Sequence, residues 1–241
     1  MKIKTRKKKP FTEVDFIKTV WKTMKTQEKE NPAIALLHRR LGNPTTQLLG
    51  LTGGIASGKS FVSSLLRQKK IPVIDADQIA HQIIVPKQPA YHQILDVFGV
   101  EILSADKTIH RPTLGKIVFS NPEKRQILEG ITHPLVLEEI GKEVQGYEKK
   151  KKRLVVIDAA LLFESDLHQM VDKTLLITCA PEIQLQRLKE RDQLSDVEAW
   201  QRILAQMPTE EKLKRADFVL DNSGSQAATE QQLTEILNKL V

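Results

Sequence analysis

Short apolar runs alternate with longer amphipathic stretches along most of this chain, a pattern that predicts an α/β architecture. Five runs, 47–52, 71–77, 154–158, 173–179 and 217–222, have the length and apolar content of buried strands. Between them lie helical stretches: 61–66 after the first strand, most of 78–147, a segment opened by Pro181, and the C-terminal end. Within 78–147 the expected breaks fall at Pro86, Pro89, Gly99, Pro112, Pro122 and Pro134. Strands separated by helices imply a parallel sheet with helices on both faces, whose ligands bind beyond the strand C-termini. Upstream of the first strand, Phe16, Ile17, Val20, Trp21 and Met24 fall on one expected helical stripe, and residues 33–41 are expected to form a second short helix after Asn31-Pro32. Gly42-Asn43-Pro44 reads as a stop and linker.

At 241 residues, with 40% hydrophobic and 28% charged residues, the chain has the composition of a soluble globular protein. No apolar run approaches the ~18 residues of a membrane span, and no apolar N-terminal segment resembles a secretion signal. Its one cysteine, Cys179, rules out an intrachain disulfide, suits a reducing, cytoplasmic compartment, and is expected to pack in the core.

The net charge of +7 is unevenly placed. Residues 1–46 hold 12 Lys and Arg against 4 Asp and Glu, a balance of +8; the other 195 hold 25 against 26, a balance of −1. The basic character belongs to the extension, so a nucleic-acid or anionic-surface contact is open there and is not expected of the body. The run Lys149–Lys152 with Arg153 reads as a solvated loop before a strand.

Chemistry concentrates at the strand ends. Gly53-x4-Gly58-Lys59-Ser60 follows the first strand and opens a helix, the context of a phosphate-binding loop for a nucleoside triphosphate. Loop N–H groups from Gly53, Gly54, Ile55, Ala56, Ser57 and Gly58 onward face the anion, Lys59 reaches the β/γ-phosphates, and the Ser60 hydroxyl suits Mg²⁺. Asp158 ends an apolar strand as a metal-binding carboxylate does, and equally as a helix cap does. Asp75 and Asp77 share a strand face if the strand persists; one suits a base for an attacking hydroxyl, and a capping role fits the spacing as well. Arg187 and Arg191, at i and i+4, project from one helical face and suit either charge stabilisation or ordinary exposure. His133 precedes Pro134 and is therefore expected to be extended, as a substrate contact or a structural histidine.

Together these segments resemble the dephospho-CoA kinase family. The resemblance is carried by residues 50–60, by Val73-Ile74-Asp75-Ala76-Asp77-Gln78-Ile79-Ala80-His81, by Thr132-His133-Pro134-Leu135, and by Leu161-Leu162-Phe163-Glu164. It continues through 186–192 and Ala216 to Gly224, which includes Asp221-Asn222-Ser223-Gly224. It implies a P-loop NTPase fold with a parallel five-stranded sheet flanked by helices, a helical acceptor-binding insertion near 78–147 and a lid near 182–200. The implied reaction transfers the ATP γ-phosphoryl to the ribose 3′-hydroxyl of dephospho-CoA, with Mg²⁺. The resemblance makes Asp77 the base or orienter and Arg187 a charge stabiliser with Arg191 beside it. Thr52 and His133 become acceptor contacts, and Asn222 lies on the adenine side of ATP. Other readings are a different small-molecule P-loop kinase, or an ATP-binding interaction protein that uses the extension. Two features depart from the family: Ala160 stands where it usually has proline, which restores a backbone N–H, and residues 1–46 precede the first strand.

Overall fold

The computed structural model describes residues 46–165 and 167–240. The basic tail and the helical stripes expected within 1–45 lie outside the described residues. Five parallel strands, β1 (Gln47–Gly53), β2 (Val73–Asp75), β3 (Leu154–Asp158), β4 (Lys173–Thr178) and β5 (Phe218–Asp221), form one sheet in the order β2-β3-β1-β4-β5. β1 is central because both its faces are apolar and covered: Leu48, Leu49, Leu51 and Thr52 are all buried. The register pairs Leu51 with Asp158, Gly53 with Ile177, Asp75 with Asp158 and Thr178 with Asp221. Every strand therefore delivers its last residue to the same rim.

On one face, Val62, Leu65 and Leu66 of helix α1 (Lys59–Gln68) pack with Leu49, Leu51, Val156, Leu175 and Ile177. Their spacing of three and one puts them on one helical stripe, and each fully buried side chain contributes about 1.5–3 kcal/mol. Leu162 occupies the space beside Gly50, where an added Cβ would lie 2.8 Å from a Leu162 methyl.

Two differences from the sequence expectation concern the site. The second strand stops at Asp75, and Ala76 opens helix α2 (Ala76–Gln82), so Asp75 and Asp77 do not share a strand face. Asp75 is the reason: its Oδ1 accepts the Gln78 N–H at 2.8 Å, the local bond by which an aspartate starts a helix. His133 is helical rather than extended, because helix α5 (Pro122–Lys149) runs through Pro134. The usual proline penalty is offset by burial of Ile131, Val136 and Ile140 along the same helix. Other prolines of this region start helices instead of breaking them: Pro89 opens α3 (Pro89–Phe98), and Pro112 sits in the first turn of α4 (Arg111–Ser120).

The chain divides into two compact units, one of which comprises, among the described residues, Ile83–Glu138. It has its own core of Ala90, Tyr91, Ile94, Phe98, Ile102, Ile109, Leu114 and Ile131. The Tyr91 hydroxyl donates to the Lys107 carbonyl at 2.6 Å, satisfying the polar end of an otherwise buried ring. The sheet, α1, α2 and the later helices α6 (Pro181–Asp192), α7 (Asp196–Leu204), α8 (Thr209–Arg215) and α9 (Gln226–Leu240) belong to the other unit.

At the start of β4, Asp217 Oδ2 accepts from the Thr174 N–H and hydroxyl, both at 2.9 Å, and Oδ1 pairs with Lys173 at 2.9 Å. Burial pushes the Asp217 carboxyl up, but Lys173 and Thr174 together outweigh it and hold it below the ordinary value. A depressed carboxylate stabilises the fold above its unfolded pKa, and that stabilisation is lost as pH falls through the folded value. Asp217→Ala is expected to cost about 1–2 kcal/mol, or roughly 2–6 °C in Tm, at neutral pH. The difference should shrink in melts as pH falls below the ordinary carboxylate range.

Candidate nucleotide and acceptor site

The loop between β1 and α1 is shaped by its glycines and by what lies against them. Gly58 has φ +96°, and a Cβ there would fall 1.8 Å from Asn222 Nδ2, so both conformation and space demand glycine. At Gly53 a Cβ would meet Ser57 Oγ at 2.5 Å and the Ile177 carbonyl at 2.8 Å. Ser57 N–H closes a turn onto the Gly54 carbonyl at 3.0 Å. Ala56 holds φ +59°, a left-handed conformation that costs a non-glycine residue about 1–2 kcal/mol. The surroundings must supply that.

Lys59, the first residue of α1, reaches back across the rim. Its ammonium is hydrogen-bonded to Asp158 Oδ1 and lies 3.6 Å from Asp77 Oδ2. Asp158 is 4% exposed; burial pushes its carboxyl up, Lys59 and a Ser63 hydrogen bond oppose this, and the nearby Asp75 charge adds to it. Asp77, in the first turn of α2, is half exposed, and its Oδ2 accepts the Ala160 N–H at 3.1 Å. The N–H that alanine restores at the family's proline position is thus used to hold Asp77. Thr52 is fully buried, and its hydroxyl donates to the Ala160 carbonyl at 3.2 Å, fixing the same loop from beneath. Ser60 is exposed at the first turn of α1.

Arg187 on α6 donates from Nη2 to the Asn222 carbonyl at 3.1 Å. Its Nη1 is buried without a hydrogen-bond partner and would stand 3.7 Å from a Cβ on Gly58. Ser57 Oγ is a second buried polar atom without a partner. Two orphan donors against one glycine-rich loop suit an oxygen-rich anion. Arg191 is directed elsewhere: Nε and Nη2 form a two-pronged pair with Asp192, at 2.8 and 3.1 Å. Asn222 has its amide engaged on both sides, with Nδ2 donating to the Ser57 carbonyl at 2.8 Å and Oδ1 accepting from the Thr229 hydroxyl at 2.8 Å. Cys179 is half-buried beside Arg187; burial raises its thiol above the ordinary value, in keeping with a packing role. His133 sits exposed on α5, within the separate unit.

Gln184, Gln206, Glu164 and Lys212 have no role assigned from the sequence. Gln184 Nε2 donates to the Ile55 carbonyl at 2.7 Å, and Gln206 Oε1 accepts the Ile55 N–H at 2.6 Å. Glu164 pairs with the buried Lys212 at 2.9 Å and accepts the Met207 N–H at 3.2 Å. Glutamines in or after polar helices carry no local signal. A lysine with 1% side-chain exposure is equally invisible in a sequence where lysines abound.

The dephospho-CoA kinase family model matches residues 47–228. A dephospho-CoA kinase from Bacillus anthracis is 48% identical over 194 residues, covering 80% of this chain and 97% of that relative. One from Lactobacillus johnsonii is 45% identical over 195 residues, covering 81% and 98%. Among solved structures, a Thermus thermophilus protein aligns with TM-score 0.73 at 35% identity, covering 81% of this chain and 98% of that one. A dephospho-CoA kinase from Campylobacter jejuni aligns with TM-score 0.59 at 33% identity, covering 80% and 96%. With a glycine-rich loop before a helix, a lysine between two carboxylates, and relatives alike over nearly their whole length, the chain belongs to the dephospho-CoA kinase family.

Proposed function

We infer that this chain transfers the γ-phosphoryl of ATP to the ribose 3′-hydroxyl of dephospho-CoA, giving coenzyme A and ADP, the last step of coenzyme A biosynthesis. The observation that carries the site assignment is the placement of Lys59, bonded to Asp158 and 3.6 Å from Asp77. A donor-side cation and an acceptor-side carboxylate then meet at the mouth of one phosphate loop. Phosphoryl transfer is mostly positioning and electrostatic stabilisation, so this juxtaposition is what the reaction requires.

The roles follow from the contacts. The loop from Gly53 to Ser60 seats the β- and γ-phosphates, and Lys59 turns from its carboxylates to the transferring oxygens. Asp77, held by the Ala160 N–H and open on its other side, orients the acceptor hydroxyl and takes its proton. Arg187 offers its unpartnered Nη1 to the developing charge; Arg191 joins it by leaving Asp192. Thr52 acts on the acceptor side through the Ala160 loop. Asn222 serves the nucleotide by holding Ser57 and Arg187.

The residues fit a divalent cation. Asp77 and Asp158 flank the Lys59 ammonium, the Asp75 charge acts on Asp158, and the Ser60 hydroxyl is exposed at the helix start. Ser60 and Asp158, directly or through water, would hold Mg²⁺, which when bound neutralises phosphate charge. Among the described residues no helix is long and apolar enough to cross a membrane. A cytoplasmic location is part of the proposal.

The test is coupled ADP release with dephospho-CoA, AMP or a nucleoside as acceptor. Dephospho-CoA is expected to be preferred in kcat/KM by about 100-fold or more. Equal or faster turnover of AMP or a nucleoside would instead favour a different small-molecule kinase.

A further inference from the structure

We propose that Gln184 and Gln206 are positioning residues of the nucleotide site, gripping the peptides on either side of Ile55 so that the phosphate loop is held ready for an anion. The inference deepens the kinase reading and rests on it.

The argument begins with peptide geometry. No cis peptide occurs among the described residues, and in a trans peptide the C=O and the next N–H point in opposite directions. Gln184 Nε2 holds the Ile55 carbonyl at 2.7 Å, so the Ala56 N–H must face away from Gln184. Asn222 Nδ2 holds the Ser57 carbonyl at 2.8 Å, so the Gly58 N–H must face away from Asn222. Side-chain amides thus grip alternate carbonyls and aim the N–H groups of Ala56 and Gly58. Alternate N–H groups aimed in this way can face an anion, while the Ser57 N–H between them closes the turn onto the Gly54 carbonyl.

Gln206 completes the arrangement. Its Oε1 accepts the Ile55 N–H at 2.6 Å, while the Gly54 carbonyl of the same peptide accepts the Ser57 N–H. That peptide is therefore held at both ends, and its donor is committed to protein. Residue Ala56, between the gripped peptides, keeps the left-handed φ of +59° that a freed alanine would leave. Gln206 is itself anchored: the neighbouring Met207 N–H donates to Glu164, whose carboxylate pairs with buried Lys212. Gln184 is 9% exposed on α6, three residues before Arg187. One helix therefore carries both a loop grip and a guanidinium beside the loop.

The test uses the full chain and steady-state kinetics with ATP and dephospho-CoA varied separately. Gln184→Met and Gln206→Met keep side-chain length but remove the hydrogen bond. Each is expected to raise the KM for ATP by about 10-fold or more, with the KM for dephospho-CoA within about 2-fold. Gln184→Glu keeps the shape, sets a carboxylate against the Ile55 carbonyl, and should raise the ATP KM at least as much as Gln184→Met. Gln186→Met, on the same helix but paired with Glu190, should behave as wild type. An unchanged ATP KM in either methionine variant would overturn the proposal, as would a parallel rise in both KM values with a lowered Tm. A wild-type chain with no saturable dependence on ATP would sink the kinase reading itself, and the inference with it.

Discussion

Lys59→Ala is expected to lower kcat/KM by about 10²–10³-fold or more. The loss has two sources. The ammonium that would neutralise charge on the transferring phosphoryl is gone. Asp158, 4% exposed and already pushed up by burial, also loses the cation that offsets it. Removing one partner of a buried pair costs about 3–5 kcal/mol when the other charge stays. The variant should therefore melt earlier as well as turn over more slowly. The double variant Lys59→Ala/Asp158→Asn separates the two effects. It should regain much of the lost Tm, because the stranded charge is removed, and regain none of the turnover. Stopped-flow or coupled ADP release beside thermal melts measures both. Near-normal turnover in the single variant would remove Lys59 from the mechanism.

The second large effect is expected from Asp77→Asn. Asparagine keeps an oxygen for the Ala160 N–H, so the side chain stays where Asp77 stood, but it cannot take a proton. We expect kcat to fall by about 10²–10⁴-fold, the range of a lost general base, while the KM for ATP stays within a few-fold. Asp77 is half exposed and its backbone setting is unchanged, so Tm should move little. A large Tm loss with modest kinetic change would reveal a cap and not a base. Turnover near that of wild type would leave the acceptor hydroxyl without its proposed partner.

Much of this molecule was legible along the chain, and the reasons are local. A buried parallel strand is an apolar run of a few residues, and β1, β3 and β4 announce themselves that way. The phosphate loop is read as easily, because Gly58 at φ +96° and the Gly53 contact with Ile177 leave no other residue possible. The helix beginning at Ala76 was less legible. Val73-Ile74-Asp75-Ala76-Asp77 reads as a strand until Asp75 caps the following turn, a choice between two local bonds that pattern alone does not make. Pro134 misled for the opposite reason. Its local preference ends a helix, but burial of residues on both sides carried the helix through.

The arrangement of side-chain amides and charges around the loop had no sequence signal of its own. Gln184, Gln206 and Ile55 are separated by up to 151 residues, and the Gln206 bond exists only because the rim of the sheet brings both ends together. The two arginines one turn apart met different partners: Arg187 bonds the Asn222 carbonyl, whereas Arg191 pairs with its own neighbour Asp192. Spacing on a helix fixes which face a residue leaves from, not which partner its long side chain finds.

What the sequence by itself determined was the alternation that makes a parallel sheet and the glycine-lysine-serine run that seats a phosphate, since both depend on backbone conformation and residues within a few positions. Only the tertiary structure decided that Lys59 would stand between Asp77 and Asp158, and that Asn222 would grip Ser57. Those contacts join residues far apart in the chain, and their directions are set by strand order and register.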